Sequence, residues 1–262
     1  MTGAPPARWV GRDYATNSAH HRAADDWFLA RHAPGEHDVV VDLGCGSGEF
    51  TARLAELARH GRVTGIDRDV SMLAAASRHR GPNLSFIRAD ATELAEVVEP
   101  GSVDVVVSRA MLHWLPASQH RHLYDAVFAV LRPTGVFHLE AGAPGNIPRI
   151  IELLEDLAAE HDLPAFPAFP DPCLALELLE ASGFQIDDDS VRTVATRRRF
   201  DRQQLAGLLA TQAILGLTRH TDPQQARAIR DEALGSIERL RRHDGSYDQT
   251  FVHLEILVRR PR

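Results

Sequence analysis

The stretch VVVDLGCGSGEF, residues 39–50, sets an acidic residue and three alternating glycines directly behind an apolar run. Asp42 follows the run. Gly44, Gly46 and Gly48 let the backbone approach a ligand closely before turning into a helix that begins near Glu49. A dinucleotide fingerprint needs its third glycine where this chain has Glu49. A carboxylate there would repel a pyrophosphate seated on the helix start, so a ligand with a cationic or zwitterionic head is expected instead. Further along, TGID ends in Asp67, whose carboxylate can accept hydrogen bonds from two adjacent ribose hydroxyls. RADATEL then puts Asp90 where it could accept from an adenine amino group. SRAMLHWLP sets Ser108 and Arg109 at one strand end and His113 and Trp114 just beyond it, near where an acceptor would lie.

These residues need a scaffold that delivers successive strand ends to one place. Short β-branched runs at 38–42, 62–66, 84–88, 103–107 and 135–140 alternate with amphipathic stretches, the pattern of a parallel sheet. Such a sheet binds ligands at the carboxyl ends of its strands, where strand order reverses. Phe50, Leu54, Leu57 and Ala58 fall at helical spacing, as do Leu123, Val127, Val130 and Leu131 before the RPTG turn. One or two helices are expected over 13–32, with a break at Pro34 and Gly35. Beyond the core, helices are expected at 147–161, 172–182, 201–217 and 222–243, and strands at 184–195 and 250–259. Ala226, Ile229, Ala233, Ile237 and Leu240 form one apolar stripe, which either packs on the rest of the protein or lids a pocket.

The order VVDLGCGSG, GID, RADA, VDVVVSRAMLHWL and LRPTGVFHLE resembles that of class I S-adenosylmethionine-dependent methyltransferases, over roughly residues 36–141. Within them it is most like the trans-aconitate methyltransferase group, which shares Trp9, Tyr14 and an Arg22-bearing helix, the WLP after strand four and a long helical pair between the last two strands. The resemblance implies an α/β, Rossmann-like, seven-stranded and mostly parallel sheet, its last strand antiparallel and helices on both faces. N-terminal helices and a helical insertion before the last strand complete it. The whole of 1–262 is then one methyltransferase domain: an N-terminal helical cap (1–35), a cofactor-binding core (36–141) and a C-terminal half (142–262) with a helical lid at about 197–249.

Carried over, the family implies that Gly44, Cys45 and Gly46 line the methionine part of S-adenosylmethionine and that Asp67 binds its ribose. Arg68 and Met72 would flank the adenosine, Asp90 and Ala91 would meet the adenine, and Ser108 would border the methionine portion and the methyl group. Gly48 belongs to the same loop. Asp42 either orients that loop or accepts from the cofactor's amino group. Cys45 is read as a small filler rather than a reactive thiol.

A sulfonium already carries a good leaving group, so the protein must chiefly align a nucleophile and exclude water. The family's acceptor is a small organic acid, ionised near neutral pH and needing no general base. Arg109 and Arg149 are the candidate carboxylate holders, because guanidinium grips carboxylate in two-pronged fashion. Trp9, Tyr14 and Trp114 are further candidate acceptor contacts. His113 stands where the trans-aconitate group is expected to carry glutamine. A histidine could deprotonate a phenol, hydroxyl or amine, so methylation of a secondary metabolite at O, N or C is the alternative. A cofactor-binding protein without transfer is a third reading, and a nicotinamide dehydrogenase is the fold-level rival.

Composition narrows the field further. All 29 basic residues are arginine, because the sequence has no lysine, which removes Schiff-base, P-loop and kinase chemistries that need one. A net charge of −7 argues against a broad nucleic-acid footprint, although Arg197, Arg198 and Arg199 could meet an anion or simply form a solvated strand end. No apolar run approaches a membrane span and no export signal is visible, so a cytoplasmic protein with a small-molecule acceptor is expected. Cys45 and Cys173 fit a reducing compartment, and without a His/Cys cluster no metal is expected. Oligomeric state is not legible.

Overall fold

The computed structural model describes residues 9–17 and 25–262, so Arg22 lies outside the described residues. One sheet holds β1 (Val39–Leu43), β2 (Arg62–Asp67), β3 (Leu84–Arg88), β4 (Val103–Arg109), β5 (Leu131–Gly142), β6 (Val191–Arg198) and β7 (Gln249–Arg259). Their order is β3-β2-β1-β4-β5-β7-β6. Neighbours among the first five strands pair in parallel, while β7 runs antiparallel to both β5 and β6. Strand order reverses between β1 and β4, so the glycine loop and Arg109 emerge side by side.

Period-two alternation buries both sheet faces. Val41 and Leu43 join a core with Leu123, Tyr124 and Val127 of α6 (Ala117–Val130), whereas Val40 packs with Phe28 of α2 (Asp25–Arg31) and Leu54 of α3 (Glu49–Leu57). A separate core joins α7 (Pro148–Glu160) to the segment between β6 and β7. That segment carries α9 (Arg202–Leu208), a π-turn at Leu209–Ala213, α10 (Leu215–Thr218) and α11 (Pro223–Gly235), then a 3-10 turn at Ile237–Leu240. The expected helix at 201–217 is thus three short pieces, and that at 222–243 ends earlier. Ile229, Ala233, Ile237 and Leu240 of the apolar stripe are buried in this core.

The sixth strand needs correction. It begins at Val191 and runs to Arg198, later than the expected 184–195. Within IDDDS, the Asp187 N–H donates to Ser190 Oγ at 2.8 Å and the Ser190 N–H to the Asp187 carbonyl at 3.0 Å, closing a turn where strand was expected. Gln185 makes only an isolated bridge to Arg259. N-terminally, α1 (Gly11–Asn17) packs beside α4 (Val70–Ala76), and the other α-helices among the described residues are α5 (Leu94–Val97) and α8 (Pro172–Ala181). Among the described residues no helix is long and apolar enough to cross a membrane.

Candidate active site

The glycine loop leaves β1 with Gly44, Gly46 and Gly48 at φ of 75°, 55° and 83°. A Cβ on Gly44 would come within 2.4 Å of Met111 Cγ, whereas one on Gly46 would meet nothing closer than Tyr14 Cε1 at 3.8 Å. Gly46 therefore keeps its left-handed turn for the loop's shape and leaves space above it. The Gly46 N–H donates to Asp67 Oδ2 at 2.9 Å and the Asp69 N–H to Oδ1 at 2.8 Å, tying the ends of β1 and β2 together. Each carboxylate oxygen keeps a further lone pair, enough for two ribose hydroxyls. Burial raises the Asp67 carboxyl above its ordinary range, opposed by these two backbone bonds.

Asp67, Arg68, Met72, Asp90 and Ala91 face one cavity of about 340 Å³, which Gly44 and Gly46 also line. Asp90 Oδ1 accepts from the Thr92 backbone and hydroxyl at 3.0 and 2.9 Å, and Oδ2 lies 3.5 Å from Arg68 Nη1. Asp69 caps α4, accepting from the Ser71 and Met72 amides at 2.8 and 3.1 Å. Ser108 departs from expectation: it is fully buried, lines none of the cavities described here, and donates to the Leu43 carbonyl at 2.8 Å, a bond that staples β4 to β1.

A smaller cavity at the loop gathers the carboxylates of Asp25, Asp42 and Glu49 around Arg109. Such a ring suits a cationic amino group. Asp42 accepts from Thr51 Oγ1 at 2.6 Å, and burial pushes its carboxyl up to about 6 despite that bond. Because the folded value exceeds the unfolded one, the ionised group opposes folding above pH 6, and this penalty fades as pH falls toward about 4. Asp42→Asn is accordingly expected to stabilise the unliganded protein by up to about 2 kcal/mol at pH 7.5 and by almost nothing near pH 4. Urea melts at the two pH values check it. Cys45 is buried, and burial pushes its thiol well above the ordinary range, as a filler requires.

Trp9, Tyr14, Arg109, Ala110 and Trp114 form a wall common to the 340 Å³ cavity and a third one of about 90 Å³. This third cavity, the chamber, is lined also by His113, Glu140, Arg198 and His253, with Phe166, Phe169 and Phe251 supplying rings. Ala110 sits in the wall at φ 51°, a left-handed backbone for a residue with a Cβ. Arg109 is buried, ion-paired with Asp25, 3.8 Å from Glu140, and stacked between Phe28 and Phe50 at 5.2 and 4.8 Å. Burial pushes the Tyr14 hydroxyl up, partly opposed by Arg109.

His113 is held firmly. Its Nδ1 accepts the Gly142 N–H at 3.2 Å, so the neutral ring carries its proton on Nε2. Burial lowers its pKa to about 4, so it is neutral at pH 7. Arg149 departs from expectation too: it donates to the Leu240 and Arg239 carbonyls, both at 2.8 Å, capping the 3-10 turn rather than lining the chamber.

Glu140, His253 and Asp25 were missed from sequence, and Arg198 was read only as part of a cluster that could meet an anion or form a solvated strand end. Glu140 ends the run GVFHLE and could have been noticed there, since it occupies a strand end like Asp67. It is buried; burial alone would raise its carboxyl, yet the bond from His253 Nδ1 at 2.6 Å and the charge of Arg109 hold it below the ordinary range. His253 and Asp25 come from distant strand and helix positions that no motif marks. Among the described residues no His/Cys/Asp/Glu group could hold a metal ion.

Residues 40–135 match the family model of a methyltransferase domain. Over these residues the sheet order and the strand-end carboxylates are arranged as in class I S-adenosylmethionine-dependent methyltransferase domains. Within the class the chain is similar to trans-aconitate 2-methyltransferases, bearing out the resemblance read from sequence: it is 42% identical to that of Deinococcus radiodurans over 104 residues, covering 40% of this chain and 38% of the relative. An uncharacterized methyltransferase of Schizosaccharomyces pombe is 33% identical over 149 residues, 56% of each chain. The chain thus spans under two thirds of either relative. Among solved structures, the cyclase SpnF superposes with a TM-score of 0.62 at 18% identity, over 100% of this chain and 99% of that one. Geranyl diphosphate C-methyltransferase of Streptomyces coelicolor gives 0.54 at 14% identity, over 98% and 90%. At such identities these structures speak for the fold alone.

Proposed function

We propose that this protein transfers the methyl group of S-adenosylmethionine to a carboxylate oxygen of a small organic acid. The wall common to the large cavity and the chamber carries this reading, because it is where a sulfonium methyl and an acceptor would meet. Asp67 would hold the ribose, Asp90 and Ala91 the adenine side, and the Asp25–Asp42–Glu49 ring the methionine ammonium. When bound, the cofactor supplies an electrophilic methyl carbon on positive sulfur. A carboxylate oxygen would form the O–CH3 bond as the C–S bond breaks, its electron pair leaving with sulfur. Positive and negative charge cancel, and no proton moves.

The chain's own residues then need only bind, orient and exclude water. The aromatic wall and the core-packed insertion, which contributes Leu208 and Ala213 to the chamber and Leu215 to the larger cavity, serve exclusion. On this reading the 197–249 segment would act as a lid. His113 fits as a donor from Nε2–H to an acceptor oxygen rather than as a base. To accept a proton on Nε2 it would need Nδ1–H, which would face the Gly142 N–H. His113→Gln is therefore expected to keep kcat/KM within about tenfold of the parent, where loss of a true general base would cost 100-fold or more. Steady-state kinetics of the two proteins settle between the readings, with equal S-adenosylhomocysteine affinity as the control.

A further inference from the structure

The run Arg197-Arg198-Arg199 belongs to the end of β6 and the residues just past it, so its side chains alternate between faces. Arg197 and Arg199 point one way and both pair with Asp248, at 3.2 and 3.4 Å. Arg198 points the other way, into the chamber, where its guanidinium lies over the Phe251 ring at 5.0 Å. The chamber's own carboxylate, Glu140, is engaged by His253 at 2.6 Å and by Arg109 at 3.8 Å. Arg109 is also held by Asp25, and Arg149 is spent on backbone carbonyls elsewhere. Arg198 brings a half-buried guanidinium, in the field of the Glu140 carboxylate, to a wall otherwise rich in rings: Trp9 meets Trp114 edge-on at 5.0 Å, and Phe166 lies 6.0 Å from Phe169.

Resting on the methyl-transfer reading, we propose that Arg198 binds the acceptor's carboxylate and that the acceptor carries a single carboxylate on an apolar, ring-sized body. Guanidinium can grip one carboxylate oxygen while leaving the second to attack the methyl carbon. The rings contact the body, whose burial drives binding. A second or third carboxylate would have to be desolvated among those rings and beside the Glu140 carboxylate, which disfavours a tricarboxylate such as trans-aconitate.

The test uses the full chain, S-adenosylmethionine, and phenylacetate, benzoate, trans-aconitate and 4-methylphenol as probes, with S-adenosylhomocysteine calorimetry alongside. The expected result is a base-labile methyl ester of phenylacetate or benzoate, with kcat/KM at least about tenfold above that for trans-aconitate. Arg198→Gln should raise KM for the preferred acid by about tenfold or more while kcat and S-adenosylhomocysteine affinity stay within a few-fold, and Arg198→Lys should recover part of the loss. Preference for trans-aconitate by the unmodified protein, an unchanged KM in Arg198→Gln, methylation of the phenol alone, or no transfer to any probe by a protein that binds S-adenosylhomocysteine would each overturn the inference. Failure of the unmodified protein to bind S-adenosylhomocysteine would overturn the methyl-transfer reading itself.

Discussion

Replacing Asp67 with alanine is expected to lower S-adenosylhomocysteine affinity by at least about 100-fold, the worth of two hydrogen bonds to a charged acceptor at roughly 1.5–3 kcal/mol each. The carboxylate does two jobs at once. It presents lone pairs to the cavity, and it accepts the amides of Gly46 and Asp69, so it shapes the glycine loop. Alanine removes both, leaving two amides without their acceptor. Asp67→Asn, which retains one acceptor oxygen, should lose less affinity than Asp67→Ala. Calorimetric titration of the three proteins decides it: an alanine variant that binds as tightly as the parent would remove Asp67 from the cofactor site.

The second large effect is structural. Glu255 on β7 is fully buried and accepts from Arg31 at 2.6 Å, Arg192 at 2.5 Å and His138 at 3.2 Å. His138 stacks on Phe28 of α2 at 3.6 Å, so this one carboxylate ties α2 to β5, β6 and β7. Removing it leaves buried positive charge behind, and Glu255→Ala should cost about 3–5 kcal/mol and lower Tm by roughly 6–20 °C. Burial alone would raise the Glu255 carboxyl, but bonds from His138, Arg192 and Arg31 hold it down to about 2. The folded value lies below the unfolded one, so the stabilisation is full above pH 4.5 and is lost as pH falls toward 2. In thermal melts from pH 7 to pH 3 the gap between parent and variant should therefore narrow toward the acid end without closing. Since α2 also carries Asp25, the partner of Arg109, the variant should weaken S-adenosylhomocysteine binding as well.

Much of the fold was legible because its signals are local. The β-branched runs, the glycine loop and the strand-end aspartates lie within a few residues of the structure they specify, and they located β1 to β5 to within a few residues. The sixth strand and the insertion were harder, whereas β7 falls within one residue of its expected bounds. IDDDS has the apolar lead of a strand, but Ser190 and Asp187 satisfy each other across a turn, which displaced β6 toward its carboxyl end. That shift is what moves Arg198 from a solvated tail to a strand face. Gly44, Gly46, Asp67, Arg68, Met72, Asp90 and Ala91, named from sequence, line one cavity, whereas the Ser108 hydroxyl is used between strands. Of the chamber's lining, Trp9, Tyr14, Arg109, His113 and Trp114 were named from sequence, whereas Glu140, His253 and the rings of Phe166, Phe169 and Phe251 are gathered only by tertiary packing. Arg109 was recognised as important, but its burial between Asp25, Glu140 and two phenylalanines makes it a pillar of the wall common to both cavities.

Incubation of the protein with methyl-labelled S-adenosylmethionine and a set of small carboxylic acids, followed by mild base, tests the central claim most directly. Transfer to a carboxylate predicts labelled methanol released from an ester; label that survives base on a phenol, amine or carbon would contradict it.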